Sequence, residues 1–170
     1  MKHFIFAIDR SYSMYLIIDK VVHVVDKFLQ QLKNDAFENS IDDIYISVIA
    51  FNNDLLYLAK LQNIKTFHNL SGNQFQVWGS TALYDTIHNI VNDYGINVQA
   101  EHHLYIITDG EDTESKKTKE DTNQLIQNAK TIGRWNIIMF NTEEISNLHI
   151  PVYTYNEDTI ADLFENLRIK

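Results

Sequence analysis

The amino-acid sequence predicts an α/β fold, a mostly parallel sheet with one antiparallel edge strand and helices on both faces. Three observations predict it. Short runs such as residues 4–8 and 104–107 have strand length and stay apolar throughout, as strands covered on both faces do. These runs alternate with amphipathic stretches whose apolar residues recur at helical spacing. One pair of neighbouring runs is separated only by Asn52-Asn53-Asp54, a turn-forming tripeptide that joins strands antiparallel.

The elements follow in order. Residues 4–8 form the first strand. Ile18, Val21, Val25, Leu29 and Leu32 then mark one face of a long helix, opposite Lys20, His23, Lys27 and Gln31. Residues 45–51 and 55–61 are the hairpin strands, and residues 62–80 lack a period and read mostly as loop. Leu83, Ile87, Ile90, Val91 and Tyr94 mark a second helix that Gly95 stops. Residues 104–107 form a strand ending in Thr108-Asp109-Gly110, and 111–119 is a polar loop. Leu125, Ile126, Ala129 and Ile132 mark a helix stopped by Gly133, and strands are predicted at 135–140 and 151–155. Asn156 can cap a last helix with the stripe Ile160, Leu163, Phe164 and Leu167.

The length of 170 residues suits one domain with a full core, and no repeat or change of composition divides it, so a single domain is expected over 1–170. Lys and Arg number 14 against 23 Asp and Glu, a net charge of −9. That balance disfavours a phosphate backbone or an anionic membrane as partner. With no cysteine, disulfides and thiolate metal sites are excluded. The run at 4–8 is too short for a secretion signal and Asp9-Arg10 interrupts it, so a cytoplasmic protein is expected.

Two aspartates carry the chemistry. Asp9 and Asp109 each follow a buried strand, and ligands of open α/β sheets gather at the carboxyl ends of strands, where strand order switches. Ser11 and Ser13 lie two residues apart just after Asp9. Carboxylates and hydroxyls together suit a hard cation such as Mg²⁺, which takes oxygen ligands octahedrally and keeps several waters.

Three segments resemble those of the von Willebrand factor A (vWA) family. Asp9-Arg10-Ser11-Tyr12-Ser13 resembles its D-x-S-x-S motif, Gly79-Ser80-Thr81-Ala82-Leu83 its threonine loop, and Thr108-Asp109-Gly110 its T-D-G segment. They occur in the family's order, on the matching elements. The resemblance implies a Rossmann-like, doubly wound vWA fold with an intact metal-ion-dependent adhesion site. Ser11, Ser13 and Thr81 would then supply hydroxyls to Mg²⁺, with Mn²⁺ as the alternative. Asp9 and Asp109 would act mainly through waters and hydrogen bonds. Neutral ligands leave much of the ion's charge unquenched, so an Asp or Glu of a partner protein can complete the coordination.

Around that site, Arg10, Tyr12, Trp78, Ser80, Glu111 and Asp112 are candidate partner-binding residues, with Tyr15 and Glu114 beside them. Exposed aromatics make good interface anchors. The bland alternatives are a solvated Arg10, a Trp78 packed under its own loop, and an acidic loop that is merely solvated. His102-His103 sits at a strand entrance, where neighbours point to opposite faces and do not share one ion. The principal expectation is a non-enzymatic, metal-dependent protein-interaction module, an adaptor or complex subunit. By analogy with intracellular vWA proteins its partner would be an AAA+ ATPase or a stress-system component. A structural subunit with a vestigial site is the alternative. A metal-dependent phosphohydrolase comes third, because Ser11 stands where such enzymes resemble D-x-D and need a general acid.

Overall fold

The computed structural model describes residues 1–96, 99–142, 148–156 and 158–164. Among the described residues, six strands form one sheet in the order β3-β2-β1-β4-β5-β6. β1 (Lys2–Asp9) pairs in parallel with β2 (Ile44–Phe51) on one side and β4 (Glu101–Ile107) on the other. β5 (Trp135–Asn141) and β6 (Val152–Thr154) continue the parallel half, while β3 (Leu55–Asn63) returns antiparallel at the opposite edge. The hairpin and the antiparallel edge are as the sequence predicts.

The apolar alternation of β1 explains the layers. Phe4, Phe6 and Ile8 face α1 (Ile18–Glu38) through Val21, Val25 and Leu29. Ile5 and Ala7 face α2 (Leu83–Tyr94) and α3 (Lys119–Ile132) through Leu83, Ile87, Ile90 and Ile126. A strand covered on both sides has no solvent face, so it reads as a continuous apolar run. Fully removing such side chains from water stabilises by about 1.5–3 kcal/mol each, which is why the central strand fixes the rest.

Two predicted elements are adjusted, and the predicted stop at Gly95 holds. Residues 62–80 contain two short 3-10 helices, Ile64–Thr66 and Gly72–Gln74, rather than loop alone. Gly95 ends α2 with φ of 74°, a conformation that suits a residue without Cβ. After β6, Asn156 Oδ1 accepts from the N–H groups of Asp158 and Thr159, ahead of the 3-10 helix Ile160–Asp162. Ile160 and Phe164 are buried against the α1 face, and Leu167 lies outside the described residues. Among the described residues, no helix is long and apolar enough to cross a membrane.

The chain runs outward from β1 through β2 to β3, then returns to β4 and runs the other way. The switch therefore lies between β1 and β4. Their carboxyl ends carry Asp9 and the Thr108-Asp109-Gly110 turn.

Candidate metal centre

Asp9 is the last residue of β1 and is fully buried. Its Oδ1 accepts the Ser11 N–H at 2.7 Å, which bends the chain sharply at the strand end. Its Oδ2 accepts the Thr108 hydroxyl at 2.6 Å and lies 3.5 Å from the donating Thr81 hydroxyl. Ser11 then caps the 3-10 helix Tyr12–Leu16 in an extended conformation. The hydroxyl oxygens of Ser11 and Ser13 are 3.2 Å apart, and Ser13 donates to Asp109 Oδ1 at 2.7 Å. The structure thus links all five predicted metal-site residues in one hydrogen-bonded cluster.

The loop carrying Thr81 is held from two directions. From the β2–β3 turn, Asn52 Nδ2 donates to the Trp78 carbonyl at 2.7 Å, and Asn53 Oδ1 accepts from Ser80 N–H at 2.9 Å. Gly79 sits between them with φ of 75°, and a Cβ there would run into the Asn53 side chain. From the other side, Thr113 and Glu114 donate their N–H groups to the Thr81 carbonyl at 2.8 and 3.2 Å. The Thr113 hydroxyl accepts from Thr81 N–H at 3.1 Å. Thr81 is consequently buried, with its hydroxyl toward Asp9.

The Thr108-Asp109-Gly110 turn is held by its carbonyls. Tyr155 OH donates to Thr108 O at 3.0 Å, the Thr142 hydroxyl to Asp109 O at 2.9 Å, and Asn141 Nδ2 to Gly110 O at 3.4 Å. These donors come from the ends of β5 and β6. Burial, together with the charges of Asp109 and Asp9, raises the pKa of Tyr155, so it stays a donor.

The electrostatics at Asp9 disfavour an uncompensated negative charge. Burial raises the pKa of Asp9, and the neighbouring charge of Asp109 acts in the same direction. Hydrogen bonds from Thr108 and Ser11 oppose them without reversing the sign. A carboxylate so placed is costly until a positive charge offsets it. The donors fit one. In octahedral Mg²⁺ coordination, bonds of about 2.1 Å put neighbouring ligand oxygens about 3 Å apart. The Ser11–Ser13 separation of 3.2 Å is close to that spacing. Among the described residues, no group of three His, Cys, Asp or Glu side chains is placed to hold a metal ion.

The candidate partner-binding residues divide. Tyr12 is 75% exposed, Tyr15 70% and Trp78 45%, and Glu111 is exposed as well. Ser80 is tied to Asn53. Arg10 is not the exposed cation read from sequence: it is 8% exposed, its guanidinium lies 5.6 Å from the Trp78 ring centre, and burial lowers its pKa. Its backbone is pinned at both ends, by Phe51 O at 2.7 Å and Trp78 N–H at 3.0 Å. Asp112 is engaged within the fold. It accepts from Tyr84 N–H at 3.1 Å and from Ser115, capping the start of α2, while Asp85 of that helix accepts the N–H groups of Lys116 and Lys117.

Solved structures share this architecture. One is a von Willebrand factor type A protein from Catenulispora acidiphila, with TM-score 0.65 and 17% identity, over 98% of this chain and 41% of that one. The chain has the vWA fold. The ArnB paralog VWA2 from Sulfolobus acidocaldarius matches the vWA sheet at TM-score 0.61 and 19% identity, over 82% of this chain and 34% of that one. Proximal thread matrix protein 1 from the mussel byssus matches at 0.64 and 16% identity, over 98% and 44%. The chain therefore spans less than half the length of each of these three vWA-fold neighbours. No protein-family model matches the sequence, and no curated protein sequence does.

Proposed function

We propose that this vWA-fold chain is a protein-interaction module that holds Mg²⁺, with Mn²⁺ as the alternative, and captures a carboxylate of its partner. Ser11, Ser13 and Thr81 would hold the ion, and Asp9 and Asp109 would orient the hydroxyls and waters. The observation that carries the reading is the single cluster of three hydroxyls and two carboxylates at the switch between β1 and β4. When bound, the ion supplies a Lewis-acidic position that a partner's Asp or Glu can occupy. Exposed Tyr12, Tyr15 and Trp78 would bury apolar area beside that contact.

Recognition is better supported than hydrolysis. Asp9 is fully buried and both its oxygens accept hydrogen bonds, which suits an orienting carboxylate more than a nucleophile. We place the module in the cytoplasm as an adaptor or complex subunit, with an AAA+ ATPase or stress-system component as the kind of partner. The test measures Mg²⁺ and Mn²⁺ binding by calorimetry, then partner capture with and without EDTA, for wild type, Asp9→Ala and Thr81→Ala. Binding and capture that both ignore chelator and substitutions would overturn the proposal.

A further inference from the structure

At the amino end of β1, opposite the candidate metal centre, four polar side chains are buried or half-buried together. They are His3 on β1, Ser47 on β2, His102 on β4 and Tyr94, the last residue of α2. His3 and His102 are register partners, 0% and 2% exposed. His102 points away from His103 because neighbours on a strand alternate, and its polar partner is across the ladder rather than along the chain.

Hydrogen-bonding capacity fixes each proton. Ser47 Oγ accepts from Leu61 N–H at 3.0 Å and from Tyr94 OH at 2.7 Å, which fills both lone pairs. Its own hydrogen remains for His3 Nε2, 2.9 Å away. His3 therefore carries its ring proton on Nδ1 and donates to His102 Nδ1 at 3.1 Å. His102 must then carry its proton on Nε2, and that buried atom has no hydrogen-bond partner among the described residues. With Tyr94 donating to Ser47, the chain Tyr94–Ser47–His3–His102 has one neutral arrangement and no vacant ring lone pair. An added proton must displace Ser47 from His3 or His3 from His102.

The surroundings offer little compensation for positive charge. His3 meets the Tyr94 ring edge-on at 4.6 Å, and His102 stacks on Trp135 of β5 at 4.4 Å. Asp93 on α2 is engaged by Tyr57 and Lys60 of β3. Glu101 on β4 pairs with His103 and with Arg134. His103 and Lys2 add positive or potentially positive charge nearby. Burial first, then the neighbouring histidines, holds His3 down to about 3, and burial lowers His102 as well.

We propose that His3 and His102 form an acid-released latch: proton uptake breaks the Ser47–His3–His102 chain, on which Tyr94 rests through Ser47 and its ring contact with His3, and so loosens the carboxyl end of α2, which Trp135 also holds at Gly95 O. The helix so loosened begins at Leu83, two residues after Thr81, so the latch acts on the element that follows the metal-site threonine.

The experiment combines nitrogen-15 NMR of the imidazoles with hydrogen exchange, on the metal-free chain. At pH 7 the wild type should show His3 protonated on Nδ1 and His102 on Nε2. Corrected for intrinsic exchange, opening of the last turns of α2 should grow about tenfold per pH unit below ~6.5 for each histidine protonated only when open. That growth should exceed the change for amides of α3 and β5. His102→Gln should retain one histidine's share of the slope. The opposite tautomers, a charged ring at pH 6 with α2 still closed, or α2 amides that follow only the global rate would overturn the latch. The wild-type tautomers and slope decide even where His102→Gln does not fold.

Discussion

Ser13 Oγ donates to Asp109 Oδ1 at 2.7 Å, joining the turn after β1 to the turn after β4 across 96 positions of sequence. A hydroxyl oriented by a carboxylate in this way turns its lone pairs toward a common point. Removing the carboxylate leaves the hydroxyl present but unaligned. Asp109→Ala should therefore weaken Mg²⁺ binding by about 10- to 100-fold, the usual effect of losing an orienting partner. Calorimetry on folded protein measures it, and an unchanged affinity would remove Asp109 from the site.

Asp9→Asn separates charge from shape. The buried carboxylate has a raised pKa, so its ionised form is a strain on the metal-free fold. The variant should melt no earlier than wild type in EDTA. Its melting midpoint should no longer rise with Mg²⁺, because only ligand bound to the native state shifts that midpoint. Parallel thermal melts with and without Mg²⁺ provide the comparison.

Thr108→Val keeps the side-chain shape and deletes the donor that Asp9 Oδ2 accepts at 2.6 Å. A buried charged acceptor left short of a donor costs about 1–3 kcal/mol. Urea denaturation at neutral pH should show a lower midpoint with an unchanged slope. A value indistinguishable from wild type would mean that Asp9 finds another donor.

Asp112→Ala removes the acceptor that caps Tyr84 N–H at the start of α2. The expected loss is about 1 kcal/mol, the ordinary cost of an N-cap. A partner-contacting role predicts the contrary pattern, unaltered stability with weakened capture, so denaturation and pull-down together assign the residue.

Acid should destabilise the whole chain before its carboxylates matter. The folded pKa values of His3 and His102 lie below the unfolded value of 6.5. Their neutral forms therefore support the fold fully above pH 6.5, and that support is lost as pH falls from there toward about 3 for His3. The slope is up to about 1.4 kcal/mol per pH unit for each histidine. Urea midpoints between pH 7.5 and 5 measure it, and a flat profile would contradict neutral buried rings.

Much of the fold was legible because its signals are local. The apolar run of β1, the stripe of α1 and the Asn52-Asn53-Asp54 turn each declare themselves within a few residues. That the five candidate site residues come together was legible for the same reason, since they lie in three short segments at strand ends and at the start of α2. The supporting ring was not. Thr113, Thr142 and Tyr155 act through contacts set by how loops from distant elements meet, and nothing near them in sequence marks that. Arg10 misled because its type suggests exposure, whereas its pinned backbone places it under Trp78. His102 and His103 face opposite ways, as the sequence predicts, but the pairing of His102 with His3 is set by strand register and has no local signal.

The bonds from Asp9 to Thr81 and Thr108 close loops of 72 and 99 residues. Such closures form late, after the local contacts that precede them. Under the proposed metal site, ion affinity would then be a property that no partial assembly of the sheet possesses. A stopped-flow titration with a Mn²⁺-sensitive probe would time the last step of folding, and two halves of the chain would regain affinity only on recombining.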